Sequence, residues 1–352
     1  MVKLNETPVR TSRNFNINNI KLEDVKILEN IKEFNNLEIT GDTSKVTIDS
    51  SNNKFDLSYG LGDLFTNQVK ENANQRLKLI IDSKTNKETN IEFKFDEKNL
   101  ELVDNIDITI NEGCKRTILL KYTSNSDTEC FHNGILRVLA KNGSEINIVV
   151  INLMNEFSNN FLAIENTIES NAKVKYTVID FGAKNSITNY FSNLIGDLSD
   201  NTINTIYLGK GNQLFDLNYI AELRGKKSNI DIEVQGALKD NSKKHFKGTI
   251  DFKKGCKKAT GNENESCMLL SDTAKSLALP MLLCSEEEVE GNHSSSAGKI
   301  GEKELFYIMS RGFELKEAMK LMVRARFNKI LLNLKNEELK DEIINEIDKR
   351  LD

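Results

Sequence analysis

Three similar phrases decide the fold: "SNAKVKYTVIDFGAKN" (residues 170–185), "SDNTINTIYLGKGN" (residues 199–212) and "KSNIDIEVQGALKDN" (residues 227–241). Each begins with a polar turn that contains Asn, continues through alternating Val, Ile or Tyr, and ends on Gly or Asn. They start 29 and 28 residues apart. This loose repeat favours a β-solenoid, whose coils bury together an apolar column that no single coil could bury. A β-sandwich has similar strands and stays open as an alternative.

The sequence on either side of these phrases is also typical of strands. From about residue 36 to 255, short apolar runs alternate with clusters of Asn, Gly, Asp, Ser and Lys, as in "LKLIIDSKTNKETNIEFKF" (residues 77–95). Each run has the length and the period-two pattern of a strand, and each break has the residues of a turn. The pattern predicts a mainly β body.

The character of the chain changes after Leu283. Helices are predicted at 302–310, where Gly312 stands in the position of a left-handed C-cap, at 315–331, and at about 337–350. The middle helix has an apolar stripe at three- and four-residue steps. The stripe fits a helix that covers the end of the β body and a helix that docks a partner equally well, and the pattern does not choose between them.

Charge and hydropathy exclude several classes of partner. The chain has 352 residues and carries 48 Lys and Arg against 53 Asp and Glu, a net charge of -5. This balance lacks the basic footprint of a nucleic-acid binder, so no nucleic-acid partner is expected. The beginning of the sequence lacks the apolar core of a signal peptide, and no apolar run reaches the length of a membrane span. We therefore expect a cytoplasmic protein without a membrane partner.

No catalytic motif is found in the sequence. A nucleotide loop, a nucleophile elbow and a zinc-protease helix are all missing. The glycines at 60–64 and 209–213 lie between strand-like runs, which favours ordinary turns over a phosphate cradle. Five cysteines have no compact metal spacing. Two of them are expected in the core, Cys114 and Cys130, and the three others lie within 29 residues of one another: Cys256, Cys267 and Cys284.

A series of specific phrases lies between residues 246 and 327. The phrases are the F-x-G-x-I at Phe246–Ile250, the "LLSDTA" at Leu269–Ala274, Pro280, the acidic stretch from Glu286 that leads to His293, and the "LFYIMSRG" at Leu305–Gly312. With these phrases the segment resembles the SufB/SufD family of iron-sulfur cluster assembly scaffolds, and the resemblance extends upstream to about Gly211.

The resemblance implies a fold and an assembly. It implies a right-handed parallel β-helix core at 111–298, between a β-rich N-terminal region at 1–110 and an α-helical domain at 299–352. The chain would be a non-catalytic scaffold that pairs through its β-helix with a SufB/SufD-type subunit, as a homodimer or a heterodimer. Its helical domain would dock the ABC-type ATPase SufC, which would hydrolyse ATP. A transient iron-sulfur cluster would be shared at the subunit interface, with no cofactor intrinsic to the isolated chain.

The same resemblance implies site residues. His293 aligns with a histidine that SufD-type members place near the interface as a candidate iron or cluster ligand. Gly291 stands where such members often have Cys, and Ser294 stands where SufB-type members have Glu, so the chain looks SufD-like here. Cys267 lies about two residues from a cysteine of SufB-type members that receives sulfur, and Cys256 and Cys284 are weaker candidates. The residues expected to bind the ATPase are Arg311, Gly312, Ala318, Met319, Met322 and Phe327.

Two other classes of function stay open. One is a carbohydrate-acting or adhesive β-solenoid, which normally stacks sugars on aromatic side chains; the aromatic content of 7% and the absence of Trp disfavour it. The other is a structural module that docks the ATPase but performs no metal chemistry.

Overall fold

The structure is a computed structural model that describes residues 2–11, 17–23, 25, 27–50 and 55–352. Over these residues the chain forms twenty strands and four helices. The strands are β1 (Val2–Leu4), β2 (Ile20–Leu22), β3 (Leu37–Gly41), β4 (Val46–Asp49), β5 (Gln75–Ile81), β6 (Glu88–Phe95), β7 (Glu101–Ile110), β8 (Lys115–Ser124), β9 (Phe131–Ala140), β10 (Glu145–Leu153), β11 (Asn159–Ile168), β12 (Lys173–Asp180), β13 (Asn185–Leu194), β14 (Asp200–Gly209), β15 (Leu214–Leu223), β16 (Asn229–Leu238), β17 (Lys243–Phe252), β18 (Ala259–Leu269), β19 (Lys275–Cys284) and β20 (Val289–Lys299). The helices are α1 (Asp63–Asn72), α2 (Glu302–Ser310), α3 (Leu315–Leu331) and α4 (Glu337–Leu351).

From β5 onward, successive strands alternate between two nine-stranded sheets, whereas β1 and β2 form a separate antiparallel pair. Sheet one runs β20-β18-β16-β14-β12-β10-β8-β6-β3, and sheet two runs β19-β17-β15-β13-β11-β9-β7-β5-β4. From β5 onward every neighbouring pair within a sheet is parallel. A strand therefore pairs with the strand one coil before it and the strand one coil after it. The prediction of a mainly β solenoid is confirmed, and the sandwich alternative is wrong because sandwich sheets are antiparallel.

The turns of successive coils stack on one another and explain the repeat in the sequence. Asn171, Leu198 and Lys227 all have positive φ, at 58°, 58° and 56°. Each donates its backbone N–H to a carbonyl of the next coil; the N–H of Asn171, for example, lies 2.9 Å from the oxygen of Asp197. Asn171 and Lys227 lie at the polar starts of two of the repeated phrases, and Leu198 directly precedes the start of the other. The stacked turn residues are 27 and 29 residues apart, so the phrases repeat about once per coil.

The two ends of the solenoid differ. At the N-terminal end the ladders end at β3 and β4, two short strands that pair antiparallel with β6 and β5. At the other end the ladders stop at β19 and β20, which are of full length. Parallel pairing begins at Gln75, and the boundaries expected at residues 110 and 298 stay predictions. Part of the expected N-terminal region, at 1, 12–16, 24, 26 and 51–54, lies outside the described residues.

Three apolar clusters hold the fold together. The largest fills the interior between the two sheets. The second joins α3 and α4 to the outer face of sheet one, and the third joins α1 and the N-terminal strands to the outer face of sheet two. The three predicted C-terminal helices are confirmed, and Gly312 has the positive φ of 97° that its predicted C-cap position requires. Across the part of the chain that is described, no helix combines the length and the apolar character needed to cross a membrane.

Candidate functional site

The last coil of the solenoid, formed by β19 and β20, has an uncovered interior. Among the described residues no strand pairs with the outer edge of either β19 or β20. Cys284 stands one coil beyond Phe252, and His293 stands one coil beyond Glu263. Phe252 and Glu263 are both 2% exposed, whereas Cys284 and His293 are exposed to solvent. We call this end of the solenoid the open end.

Strand β20 presents small polar side chains at the open end. Hydrogen bonds hold them to β18: Ser294 Oγ lies 2.7 Å from Asn264 Oδ1, and Ser295 Oγ lies 2.7 Å from Glu265 Oε2. At Gly298 an added Cβ would meet no atom within 4 Å. The strand therefore leaves room for another backbone to approach closely.

Glu263 is a buried acid one coil below His293. Its carboxylate lies across the interior against Gly248 of the opposite sheet, where a Cβ on that glycine would stand 2.0 Å from Glu263 Oε2. Neither carboxylate oxygen has a hydrogen-bond partner among the described residues. Burial, together with the charge of Glu265, raises the pKa of Glu263 to about 8. The side chain is therefore largely protonated at neutral pH.

Cys267 belongs to a second buried group in the same coil. Lys244 Nζ and Glu265 Oε1 form an ion pair at 2.6 Å, with both side chains fully buried. Burial raises the pKa of the Cys267 thiol, while the nearby Lys244 ammonium and the hydroxyl of Tyr207 offset part of that rise. The thiol therefore faces the interior in its protonated form, covered by the last coil at Ala297.

The other two candidate cysteines lie at one corner of the open end. Cys256 is buried in the turn after β17, and burial, followed by the charge of Glu286, raises the pKa of its thiol. Cys284 is exposed at the end of β19, and its Sγ lies 2.9 Å from the backbone oxygen of Glu286. Of the four candidate ligands, only His293 and Cys284 are accessible to solvent.

The structure brings all four candidates to one end of the molecule without joining them in one site. No group of three or more His, Cys, Asp or Glu side chains in the described ranges is arranged to hold a metal ion. Cys267 lies one coil below Ala297. Ala297 and His293 are four residues apart on β20, so their Cα atoms are about 13 Å apart. Cys267 is therefore too distant to bind the same small cluster as His293, and the described residues do not assemble a full ligand set.

Sequence reasoning missed Glu263, Glu265 and Lys244. One signal for the two acids was present. In "TGNENESC" (residues 260–267) the glutamates lie two and four residues before Cys267, so in a strand all three share one face. If Cys267 points into the interior of the solenoid, this spacing predicts that Glu263 and Glu265 point there too. Lys244 has no such signal, because it comes from the opposite sheet.

The residues predicted to bind the ATPase fall into two groups. Ala318 and Phe327 are buried, and the Phe327 ring stacks on Phe181 of the solenoid with centroids 6.2 Å apart. Met319 and Met322 are half-buried, whereas Arg311 and Gly312 are exposed. The apolar stripe of α3 therefore mainly attaches the helix to sheet one. An ion pair between Lys329 of α3 and Glu233 of β16, 3.0 Å long, joins the same two elements.

Helix α2 has no buried residue in its whole length. Its two aromatic side chains are among the most exposed large apolar groups of the described residues: Phe306 is 74% exposed and Tyr307 is 58% exposed. Large exposed apolar groups of this kind mark interaction sites when they are contiguous. We call the set the α2 apolar surface, and it comprises Phe306, Tyr307, Met309, Phe313 and Leu315.

Comparison with known protein families shows to which family this chain belongs. The family model described as "SUF system FeS cluster assembly, SufBD core domain" matches residues 93–326, which is more than half of the chain. The chain belongs to the SufBD family. The matched range contains the parallel coils from β7 to β20, together with α2 and most of α3. The family resemblance of the sequence is thereby confirmed.

Individual SufBD relatives are distant. The iron-sulfur cluster assembly protein SufD of Bacillus subtilis is 26% identical over 180 residues, which cover 51% of this chain and 41% of the relative. A SufBD family protein of Pyrococcus horikoshii is 27% identical over 223 residues, or 62% and 47% of the two chains. SufD of Escherichia coli is 20% identical over 244 residues, or 69% and 58%. The chain thus matches roughly half the length of these relatives.

Proposed function

We propose that this SufBD family chain is a scaffold subunit of a SUF-type iron-sulfur cluster assembly complex. The observation that carries the proposal is the open end, where full-length strands and inward-facing side chains have no covering coil among the residues that the structure describes. Unpaired strand edges are ready templates for another chain. The proposed occupant is a SufB/SufD-type subunit, in a homodimer or a heterodimer.

The cluster is proposed to form at this interface as a transient product. His293 is the candidate ligand of this chain, because its imidazole is exposed where the partner would meet it. Cys284 is a second candidate, since its thiol is accessible. Cys267 and Cys256 are buried with raised thiol pKa values, so they could bind iron only after the last coil moves. The remaining ligands would come from the partner.

The ATPase is proposed to dock on the α2 apolar surface. Arg311 and Gly312 lie within this surface, between α2 and Phe313, and both are exposed. The two half-buried methionines of α3, Met319 and Met322, are proposed to border it. Ala318 and Phe327 would act indirectly, by fixing α3 on the solenoid. ATP hydrolysis is assigned to the SufC-type partner, and the chain itself is proposed to be non-catalytic.

The test is anaerobic reconstitution of the chain with a SufB-type subunit and a SufC-type ATPase. Iron and acid-labile sulfide per complex are measured for the wild type, for His293→Ala and for the control Asn292→Ala, an exposed neighbour on the same strand. We expect the histidine variant to assemble the complex but to lose cluster yield, and the asparagine variant to keep it. Equal yields in all three would discard the ligand role of His293 and leave a structural module. Failure of the three chains to co-purify would discard the scaffold proposal itself.

A further inference from the structure

A small cavity lies between the outer face of sheet one and the turn that joins α3 to α4. Its volume is about 80 Å³, and its walls come from β6, β8, β10 and β12 on one side and from residues 333–336 and Leu339 on the other. The cavity is remote from the open end along the sheet, because β12 is separated from β20 by three other strands. Nothing in the proposed assembly uses it.

Two lysines without acidic partners converge on this cavity. Lys175 of β12 is half-buried, and its Nζ donates to Asn333 Oδ1 at 2.7 Å, which uses one of its three N–H donors. Lys335 lines the same cavity from the turn. Within the described part of the chain neither ammonium group forms an ion pair. Burial, and then the charge of Lys335, lower the pKa of Lys175, as expected for a cation held near a like charge.

The remaining walls combine polar groups with an apolar part, which comes from Leu119, Ile148, Val149, Leu334 and Leu339. Asn336 is the N-cap of the fifteen-residue helix α4, so the positive end of the helix dipole lies at the cavity, and the first turn of that helix also carries Glu337 and Glu338. Side chains of Thr117, Asn147 and Thr177 add hydrogen-bonding groups. Glu88 is the one carboxylate among the described lining residues, and it lies three strands from Lys175, about 14 Å away.

We propose that this cavity binds a small tetrahedral oxyanion of the phosphate class between Lys175 and Lys335. Two ammonium groups that face one small cavity repel each other, and an anion between them would neutralise both. The bound anion would also bridge β12 and the α3–α4 turn. Occupancy would therefore fasten the C-terminal helices to the solenoid. This inference does not depend on the proposed function.

The experiment uses the full chain and inorganic phosphate. Calorimetric titration is expected to show saturable binding, and amide hydrogen exchange is expected to slow at residues 333–340. Lys175→Met and Lys335→Met should each weaken phosphate binding by about tenfold or more, the loss of one charge-assisted contact. Lys173→Met, an exposed lysine two residues earlier on β12, is the matched control and should bind as the wild type does.

Several results would overturn the proposal. One is the absence of saturable phosphate binding to the wild type, and another is an equal loss in the Lys173 variant. Binding that sodium chloride of the same ionic strength reproduces would show charge screening rather than a site. Acetate that binds as tightly as phosphate would show that the cavity does not select tetrahedral oxyanions, which contradicts the proposal. Because Lys335 is exposed on a turn, its variant should fold, so unchanged binding in Lys335→Met alone contradicts the inference.

Discussion

His293 and Glu263 are Cα partners on neighbouring parallel strands and face the same interior, but only Glu263 is covered by a further coil. The pair marks the boundary between the buried interior and the surface where a second subunit is proposed. A covering subunit would place His293 in the environment that Glu263 already has. The two positions therefore connect the stability of the solenoid with its assembly.

Glu263 should make the chain less stable as pH rises. Its pKa is about 8 in the folded chain against 4.5 for an ordinary Glu, so between these values the folded state holds a proton that the unfolded state has lost. The free energy of unfolding should therefore fall across this window, by about 4 kcal/mol at most. Urea unfolding of the wild type and of Glu263→Gln, at pH 5, 7 and 9, measures the difference. The exposed Glu290→Gln is the control, and a difference that does not change with pH would show that the Glu263 carboxyl is solvated.

Gly225 should be intolerant of a side chain. A Cβ there would lie 1.8 Å from the backbone oxygen of Gly196 in the stacked turn one coil earlier, and backbone atoms cannot move aside cheaply. Gly225→Ala should lower the free energy of unfolding by about 3 kcal/mol or more. Gly298→Ala, where a Cβ meets nothing, is the matched control and should change stability by less than about 0.5 kcal/mol. Similar denaturation midpoints for both variants would contradict the stacked-turn geometry.

Phe306 and Phe327 should separate docking from folding. Phe306→Asp should leave thermal unfolding almost unchanged, because the ring is already solvated, but should abolish co-purification of a SufC-type ATPase. Phe327→Asp should destabilise the helical region by about 3–5 kcal/mol, since its ring is fully buried against Phe181. Circular dichroism melts and pull-down assays on both variants provide the comparison. An ATPase that still binds Phe306→Asp would place the docking surface elsewhere.

The cysteines should differ widely in alkylation rate. Cys284 is exposed and should react with iodoacetamide without any opening of the fold, whereas Cys256 and Cys267 need both exposure and deprotonation against raised pKa values. We expect Cys284 to react at least about a hundredfold faster in the isolated chain. Peptide mass spectrometry over a time course gives the rates. Binding of a second subunit at the open end should then protect Cys284, and unchanged reactivity in the complex would argue against pairing there.

Much of the fold could be predicted because each coil produces a recognisable local pattern in the sequence. The polar phrases that begin at Ser170, Ser199 and Lys227 coincide with stacked turns, and each turn needs a residue in the left-handed region. The choice between solenoid and sandwich could not be made from the residues, since both produce short period-two strands. That choice depends on which strands pair, and pairing connects positions about 28 residues apart.

The site was harder to predict because burial of a polar group depends on distant strands. The apolar stripe of α3 fitted a packed helix and a docking helix equally well, and in the structure Phe327 packs on the solenoid whereas Phe306 of α2 is exposed. Only the position of α2, which touches little of the solenoid, separates them. Glu263 was not predicted to be buried, because glutamate is a charged residue type that is normally exposed. Its burial depends on Gly248 in the opposite sheet, which no local pattern reveals.

The unlike ends of the solenoid limit how copies can associate. A fibre grows when the front of one unit fits the back of the next. Here the two differ, because the back ends in two short strands paired antiparallel and the front ends in two parallel strands of ten and eleven residues. Contacts of front with front use the same surface on both members and consume it completely. If copies pair in the way proposed, growth would end at the second unit, so the same geometry would allow a dimer but not a polymer.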